Sequence, residues 1–204
     1  MNRLWLLLVA VVFAGYWLVS RPSAAGAGDP VDWSEEPYQE ETDEEAFEIE
    51  TRKGTVTLAP LADFEVSAVV AGAERYRLDG GAFLSPVDLA LTWGDLPEEP
   101  YKSQISYDQS ARFYYWRVPT RELDLRYIQH HSSNMHMIPG SPNVRRALLS
   151  VDEGDEVRVS GLLVNASMAD GYNWKSSLSR TDSGPGACEL VWVEELQIGE
   201  KVYR

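Results

Sequence analysis

The sequence predicts a mainly β protein, a small barrel or a β-sandwich with one or two short helices, preceded by one transmembrane helix. Three observations support this fold class. Runs of alternating apolar and polar residues recur from Ala46 onward, at the period of a half-buried strand. Turn signals rich in Gly, Asp and Pro separate these runs. Before them, Leu4 to Val19 form an uncharged apolar run of 16 residues.

The first segment, residues 1–21, is predicted to be a membrane anchor. Arg3 gives its start a positive charge, and the apolar run is close to the length that crosses a bilayer. Trp5 near one end and Tyr16 and Trp17 near the other are typical of aromatic residues at membrane–water interfaces. The anchor predicts a single-pass protein of the cell membrane, with the membrane as a partner and an extracytoplasmic (periplasmic) C-terminal domain.

A cleaved signal peptide is the alternative for the same segment. Small residues between Ser23 and Ala27 offer a cleavage site after Ala25 or after Ala27. Cleavage would give a secreted protein. In both cases the rest of the chain crosses the membrane.

Residues 22–45 are predicted to be an acidic, disordered spacer. Between Asp29 and Glu50 the chain carries 11 acidic residues and no basic ones, and like charges keep a chain extended. An interaction tail for a basic partner or for divalent cations is the alternative interpretation. The net charge of -14 argues against nucleic acid as a partner.

Residues 46–204 are predicted to be one mainly β extracytoplasmic domain. The segment Arg112–Val118 is dense in Phe, Tyr and Trp, which favours a core strand over a stacking platform for a ring-bearing ligand. Short helices are expected within Thr120–Gln129 and Asn143–Leu149. The domain opens with a meander of short strands, expected at Phe47–Thr51, Thr55–Ala59 and Phe64–Val70.

The clearest strand lies within Ser150–Asn165. Val157, Val159 and Leu163 share one face with Gly161, and the glycine indicates a bend or a close approach by another backbone. Two partner strands are expected after it, at Tyr172–Arg180 and Cys188–Ile198.

The pattern Gly154-Asp155-x-Val157-x-Val159-x-Gly161, followed by an apolar stretch and two strands, resembles the opening strand of OB-type small barrels. The resemblance covers at most residues 105–200. It implies a barrel face that binds oligonucleotides or oligosaccharides. The anchor, the acidic segment and the β domain together are similar to uncharacterised exported or membrane-tethered bacterial proteins, and that likeness implies no activity.

All three histidines fall within seven residues, at His130, His131 and His136. Neutral imidazole is both a metal ligand and a proton acceptor near neutral pH, although this spacing matches no standard zinc motif. The alternation around Asn134 predicts a strand with one polar face. The candidate ligand-binding residues from this cluster, the aromatic strand and the Ser-rich segment are His130, His131, Asn134, His136, Arg112, Trp174, Ser176, Arg180 and Asp182.

Function is expected to be that of a membrane-tethered, non-catalytic binding or accessory module of unknown ligand, with an envelope protein as a candidate partner. No nucleophile elbow of the Gly-x-Ser-x-Gly type occurs. A hydrolase or metal-dependent enzyme using the histidines with Arg180 and Asp182 is one alternative, and a structural subunit of an envelope complex is another. No catalytic residue, metal or cofactor is assigned. Cys188, the single cysteine, is expected to be buried and inert.

Overall fold

The computed structural model describes residues 21–119, 122–180, 182, 184 and 186–204. This part of the chain is mainly β, which confirms the predicted fold class at that level. Its helices are α1 (Tyr101–Gln104), α2 (Leu125–His130) and α3 (Pro142–Leu148). Its strands are β1 (Gly26–Ala27), β2 (Tyr38–Glu41), β3 (Phe47–Thr51), β4 (Gly54–Arg75), β5 (Val87–Thr92), β6 (Ser106–Ser110), β7 (Phe113–Arg117), β8 (Ser132–Pro139), β9 (Glu156–Ser167), β10 (Asn173–Trp174), β11 (Leu190–Ile198) and β12 (Lys201–Tyr203).

Five strands pair in a cycle, so that the main sheet closes partly into a ring. β4 pairs with β5, β5 with β8, β8 with β11, β11 with β9, and β9 again with β4. Every pair is antiparallel except β8 with β11, which is parallel. The first strand of the ring along the chain is therefore β4. The expectation that the strand within Ser150–Asn165 opens the barrel is corrected, because that strand, β9, comes after β4, β5 and β8.

β4 is one strand of 22 residues, where the sequence predicted two shorter ones. Its apolar side chains alternate with more exposed ones along the whole strand. Val56 and Leu58 belong to one hydrophobic cluster, and the buried residues from Ala62 onward belong to the main core. Pro60 has no amide hydrogen for a regular ladder, and the pairing with β9 shifts register between Pro60 and Ala62. A second shift, between Val70 and Gly72, bends the strand toward β5.

Gly161 in β9 lies where β11 comes closest. A Cβ atom built on Gly161 would stand 1.9 Å from the carbonyl oxygen of Trp192, so only glycine fits. The pairing of β9 with β11 shifts register close by, between Val193 and Glu195. The close approach predicted from the sequence is confirmed.

Helix α3 covers one opening of the ring. Ser141 accepts a hydrogen bond from the amide of Val144 and caps the helix, and Pro142 occupies its first turn. Val144, Ala147 and Leu148 are buried in the same core cluster as the inner side chains of the ring. Helices α2 and α3 overlap the two helical segments that the sequence predicted, and α1 is a third helix where one or two were expected.

The prediction of disorder for residues 22–45 is corrected. β1 pairs with β12, and β2 pairs with β4. Val31 is buried and Trp33 packs against the core. Burial of these two apolar side chains removes their surface from water, which favours an ordered segment.

The predicted transmembrane segment lies outside the described residues, apart from Arg21. Among the residues that are described, no helix has the length and apolar character needed to cross a membrane.

The predicted strand Tyr172–Arg180 is reduced to β10, a two-residue strand, and the rest of this segment is loop.

Candidate functional site

The hairpin of β6 and β7 lies against the outer side of β5 and β8 and forms the framework of the site. Gln109 on β6 donates through Nε2 to the carbonyl oxygen of Asp88 (3.2 Å) and to Oδ1 of Asn134 (2.7 Å). Gly72 allows this approach, because a Cβ there would stand 2.6 Å from Oε1 of Gln109. Asn134 also donates to the carbonyl oxygen of Arg112 (3.3 Å), so this candidate residue anchors the hairpin.

Arg112 in the hairpin turn forms ion pairs with two carboxylates, Asp79 and Asp88. Its Nε and Nη2 donate to the two oxygens of Asp79 at 2.6 and 2.9 Å, and its Nη1 donates to Oδ1 of Asp88 at 2.6 Å. Its guanidinium lies 3.7 Å from the ring centre of Tyr76 and 5.4 Å from that of Trp174. The hydrogen bonds from Arg112 lower the pKa of Asp79. Arg112 and Trp174, both candidates from the sequence, therefore meet here.

His136 joins the same group from β8. Its Nδ1 lies 2.9 Å from Oδ1 of Asp88, a fully buried carboxylate, but the N–H direction does not meet hydrogen-bond geometry. The imidazole lies 4.7 Å from the Trp174 ring between centres. The alternation that placed His136 and Asn134 on one face of a strand is confirmed by β8, whose other face is buried as well.

The other two histidines lie elsewhere. His131 contacts Oε1 of Glu36 through Nε2 (2.9 Å) and stacks on Tyr127 with 3.7 Å between ring centres. His130 is the last residue of α2. The three histidines therefore do not converge. Across the described residues, no three or more His, Cys, Asp or Glu side chains are grouped as a metal site would require.

A cavity of about 300 Å³ lies between β7, the first residues of β8 and the loop before β11. Arg180, Asp182 and Asn134 line it, so these three candidates are brought together without a histidine. Phe113, Tyr114 and Trp116 of β7 line it too. The sequence favoured a core strand for this segment, and that prediction is corrected, because β7 belongs to a separate two-stranded sheet and none of its residues is fully buried. Ser133 and Glu189 are lining residues that the sequence did not indicate.

Glu189 is the most perturbed acid of this cavity. Only 3% of its surface is exposed, and Ser133 donates to its Oε2. Burial raises its pKa to about 7, with a smaller contribution from Asp182, while Ser133 and Arg180 act in the opposite direction. One sequence signal could have found it, because Glu189 shares strand parity with Val191 and Val193, which both face the core.

Cys188 lies between this cavity and a neighbouring one of about 480 Å³, which Arg112, His136 and Trp174 also line. It is half-buried, where the sequence predicted full burial. Burial raises the pKa of its thiol to about 11, so it is not a thiolate at neutral pH and does not serve as an activated nucleophile.

The Ser-rich loop is held by its own polar side chains. Ser176 accepts through Oγ from the amide of Leu190 (3.0 Å), Ser177 donates to Asp182 (2.7 Å), and Arg180 donates to the carbonyl oxygen of Pro37 (2.8 Å). Ser176 therefore links the loop to the start of β11. Arg180 and Asp182 both brace the loop and line the cavity.

Comparison of the chain with protein-family models, with curated proteins and with solved structures gave no match.

Proposed function

We propose that the ring is an OB-type barrel. Its support is the spatial order β4-β5-β8-β11-β9. In chain order the ring strands are β4, β5, β8, β9 and β11, so the single parallel pair joins the third strand, β8, with the fifth, β11. Helix α3 lies between the third and fourth strands, β8 and β9. In OB barrels the face of the second and third strands, with the loops after the first and fourth strands, binds ligands. Here those parts are β5, β8 and the loops at 76–86 and 168–189, and most of the candidate residues lie on them.

We further propose that the protein is a small-molecule binding module. The observation that carries this proposal is the partly open cavity beside the hairpin, with Glu189 buried in its wall. A well-formed pocket with a few convergent polar groups and a perturbed acid is the default position for a ligand site. A polymer on the outer face of β5 and β8 would have to displace the hairpin, so a ligand of the cavity's size is favoured over an oligonucleotide or oligosaccharide.

The location is proposed from the sequence. A single membrane span over residues 1–21 would hold the domain on the extracytoplasmic side, where it could serve an envelope protein as an accessory module. A secreted form and a purely structural subunit are the alternatives. The net charge of -14 continues to argue against nucleic acid as a partner.

An enzyme built on the three histidines lacks the geometry it would need, because His131 and His136 contact different carboxylates. Acid–base chemistry would have to rest on Glu189, whose pKa of about 7 suits a group that exchanges protons near neutral pH. This is the second candidate function.

A fragment screen by ligand-observed NMR tests the binding module. The wild-type chain is compared with Ala187→Phe, which adds a ring to a residue of the cavity wall, and with Ala169→Phe, which adds the same ring at an exposed turn. We expect a set of small molecules that bind wild type and Ala169→Phe but not Ala187→Phe.

A screen whose hits all survive in Ala187→Phe, or that yields no hits, would contradict a ligand site in this cavity. Circular dichroism of the two variants shows whether both keep the fold. Hits that are turned over rather than only bound would favour the enzymatic candidate.

A further inference from the structure

We propose that the cavity between β7, β8 and the loop before β11 binds a small ligand that carries an ammonium group, with Glu189 as its counter-ion and the hairpin rings as its aromatic wall. This inference rests on the proposed function, because it names the ligand class of the same cavity. Three properties of the described residues support it: the aromatic wall, the balance of charge, and the size.

The aromatic wall comes from one strand. Phe113, Tyr114 and Trp116 of β7 all line the cavity. The face of an aromatic ring carries partial negative charge and attracts a cation within about 6 Å of its centre. Tyr114 is fixed in place because its hydroxyl donates to the carbonyl oxygen of Ser132 (3.0 Å). The Tyr114 part of the wall is therefore preformed, which reduces the entropy lost when a ligand binds.

The charge balance of the cavity is negative. Glu189 and Asp182 line it, and Arg180 is the basic residue among its lining side chains. Arg180 is turned toward the carbonyl oxygen of Pro37, and no basic side chain of the described chain lies within ion-pair distance of Glu189. Burial raises the pKa of Glu189 more than the charge of Arg180 lowers it, and a bound ammonium group would supply the direct ion pair that Glu189 lacks.

Neutral and anionic ligands fit the same wall less well. Beside a neutral ligand Glu189 would remain protonated, because a buried carboxylate without a direct ion pair is costly. An anion would face two carboxylates and one guanidinium. The raised pKa of Glu189 reflects the same cost in the empty cavity, since burial favours the protonated form.

The volume limits the ligand to a small molecule. About 300 Å³ is at the lower end of the range for ligand pockets. A short alkylammonium ion, or a small molecule with one such group, fits this description. The buried Nε of Arg180, which has no hydrogen-bond partner, is available to a second polar group on the ligand.

Four probes of similar size test the inference: n-butylammonium, norvaline as a zwitterion, 1-butanol as the neutral analogue and butyrate as the anion. Saturation-transfer NMR titrations give a dissociation constant for each with the full chain. We expect n-butylammonium or norvaline to bind at least about tenfold more tightly than 1-butanol, and butyrate to bind most weakly.

Two variants locate the interaction. Glu189→Gln keeps the shape and the acceptor for Ser133 but removes the charge, and it should weaken ammonium binding by about thirtyfold or more. Trp116→Leu should weaken it by about fivefold. Glu153→Gln, which removes one charge at an exposed turn, should bind all four probes as wild type does.

Equal binding of n-butylammonium and norvaline by wild type and Glu189→Gln would overturn the inference. If 1-butanol or butyrate binds wild type best and Ala187→Phe abolishes that binding, the ammonium inference fails while the proposed binding function stands. If none of the four probes binds, the ammonium inference fails, and the fragment screen alone then decides the binding function.

Discussion

Glu189 shows how the position of one residue changes its chemistry. An exposed glutamate loses its proton near pH 4.5, whereas burial raises the pKa of Glu189 to about 7. Between these two pH values the folded chain holds a proton that the unfolded chain has released. The folded state therefore binds more protons in this window, and its stability falls as the pH rises through it. The contribution of protonated Glu189 is complete below pH 4.5 and is lost by about pH 7.

Glu189→Gln should remove this pH dependence. From pH 4.5 to pH 7, the variant's free energy of unfolding should rise relative to that of wild type by about 3 kcal/mol. Denaturant unfolding of both proteins at the two pH values measures the difference. Glu153→Gln, altered at an exposed turn, should follow wild type. The same pH dependence in Glu189→Gln and wild type would contradict the assignment of the shift to Glu189.

At the scale of the element, the β6–β7 hairpin is held in a strained turn by the contacts of one side chain. Ala111 and Arg112 have φ angles of 52° and 71°, in the left-handed region that favours glycine or asparagine. Each such residue costs about 1–2 kcal/mol. The ion pairs of Arg112 with Asp79 and Asp88 offset that cost. The sequence predicted a strand at Arg112–Val118 but no hairpin turn before it, because Ser110-Ala111-Arg112-Phe113 contains no Gly or Asn.

Ala111→Gly should therefore stabilise the protein. We expect its free energy of unfolding to rise by about 0.5–1 kcal/mol, since the relief of strain exceeds the added freedom of the unfolded chain. Ser110→Gly, one position earlier and outside the left-handed region, should lower it instead. Chemical denaturation of the three proteins provides the comparison. A loss of stability in both variants would show that Ala111 is not strained.

At the scale of the whole molecule, sequence patterns predicted the features that depend on residues close together in the chain. The mainly β class, the position of α3, the strand around His136 and the tight approach at Gly161 all follow from periodicity or from residue type. The ring does not, because its pairings join segments that are far apart, as between Thr57 and Ser167. The burial of Val31 was missed for the same reason, since contacts with distant segments cover it, whereas the parity of Glu189 with Val191 and Val193 was a local signal that was overlooked.

The candidate site was predicted in part. Arg112, His136 and Trp174 meet around Asp88, and Arg180, Asp182 and Asn134 line the cavity. The histidines do not come together, because proximity in sequence does not bring together residues on opposite sides of a helix–strand junction. Helix α2 ends at His130, and β8 begins at Ser132.

The membrane anchor is tested on the full chain by cell fractionation. We expect the protein to stay in the membrane fraction after alkaline carbonate extraction, with its N-terminal peptide intact. Val11→Arg should release it, because an arginine near the centre of a span costs about 3 kcal/mol. Leu78→Arg, at a side chain that is 98% exposed, is the matched control and should remain bound. A shortened protein beginning after Ala25 or Ala27 would contradict the anchor and support signal cleavage.

The contacts that hold the chain just before β1 limit how far the domain can move from such an anchor. Ser23 and Asn143 exchange hydrogen bonds of 2.8 Å, and Gly26 pairs with Val202, so the fold begins about two residues after the predicted span. Two extended residues reach only about 7 Å. The acidic segment is thus not a flexible linker between the anchor and the domain. An anchored domain would diffuse with the bilayer, and its ligand and partner sites would stay within about one domain diameter of the membrane surface.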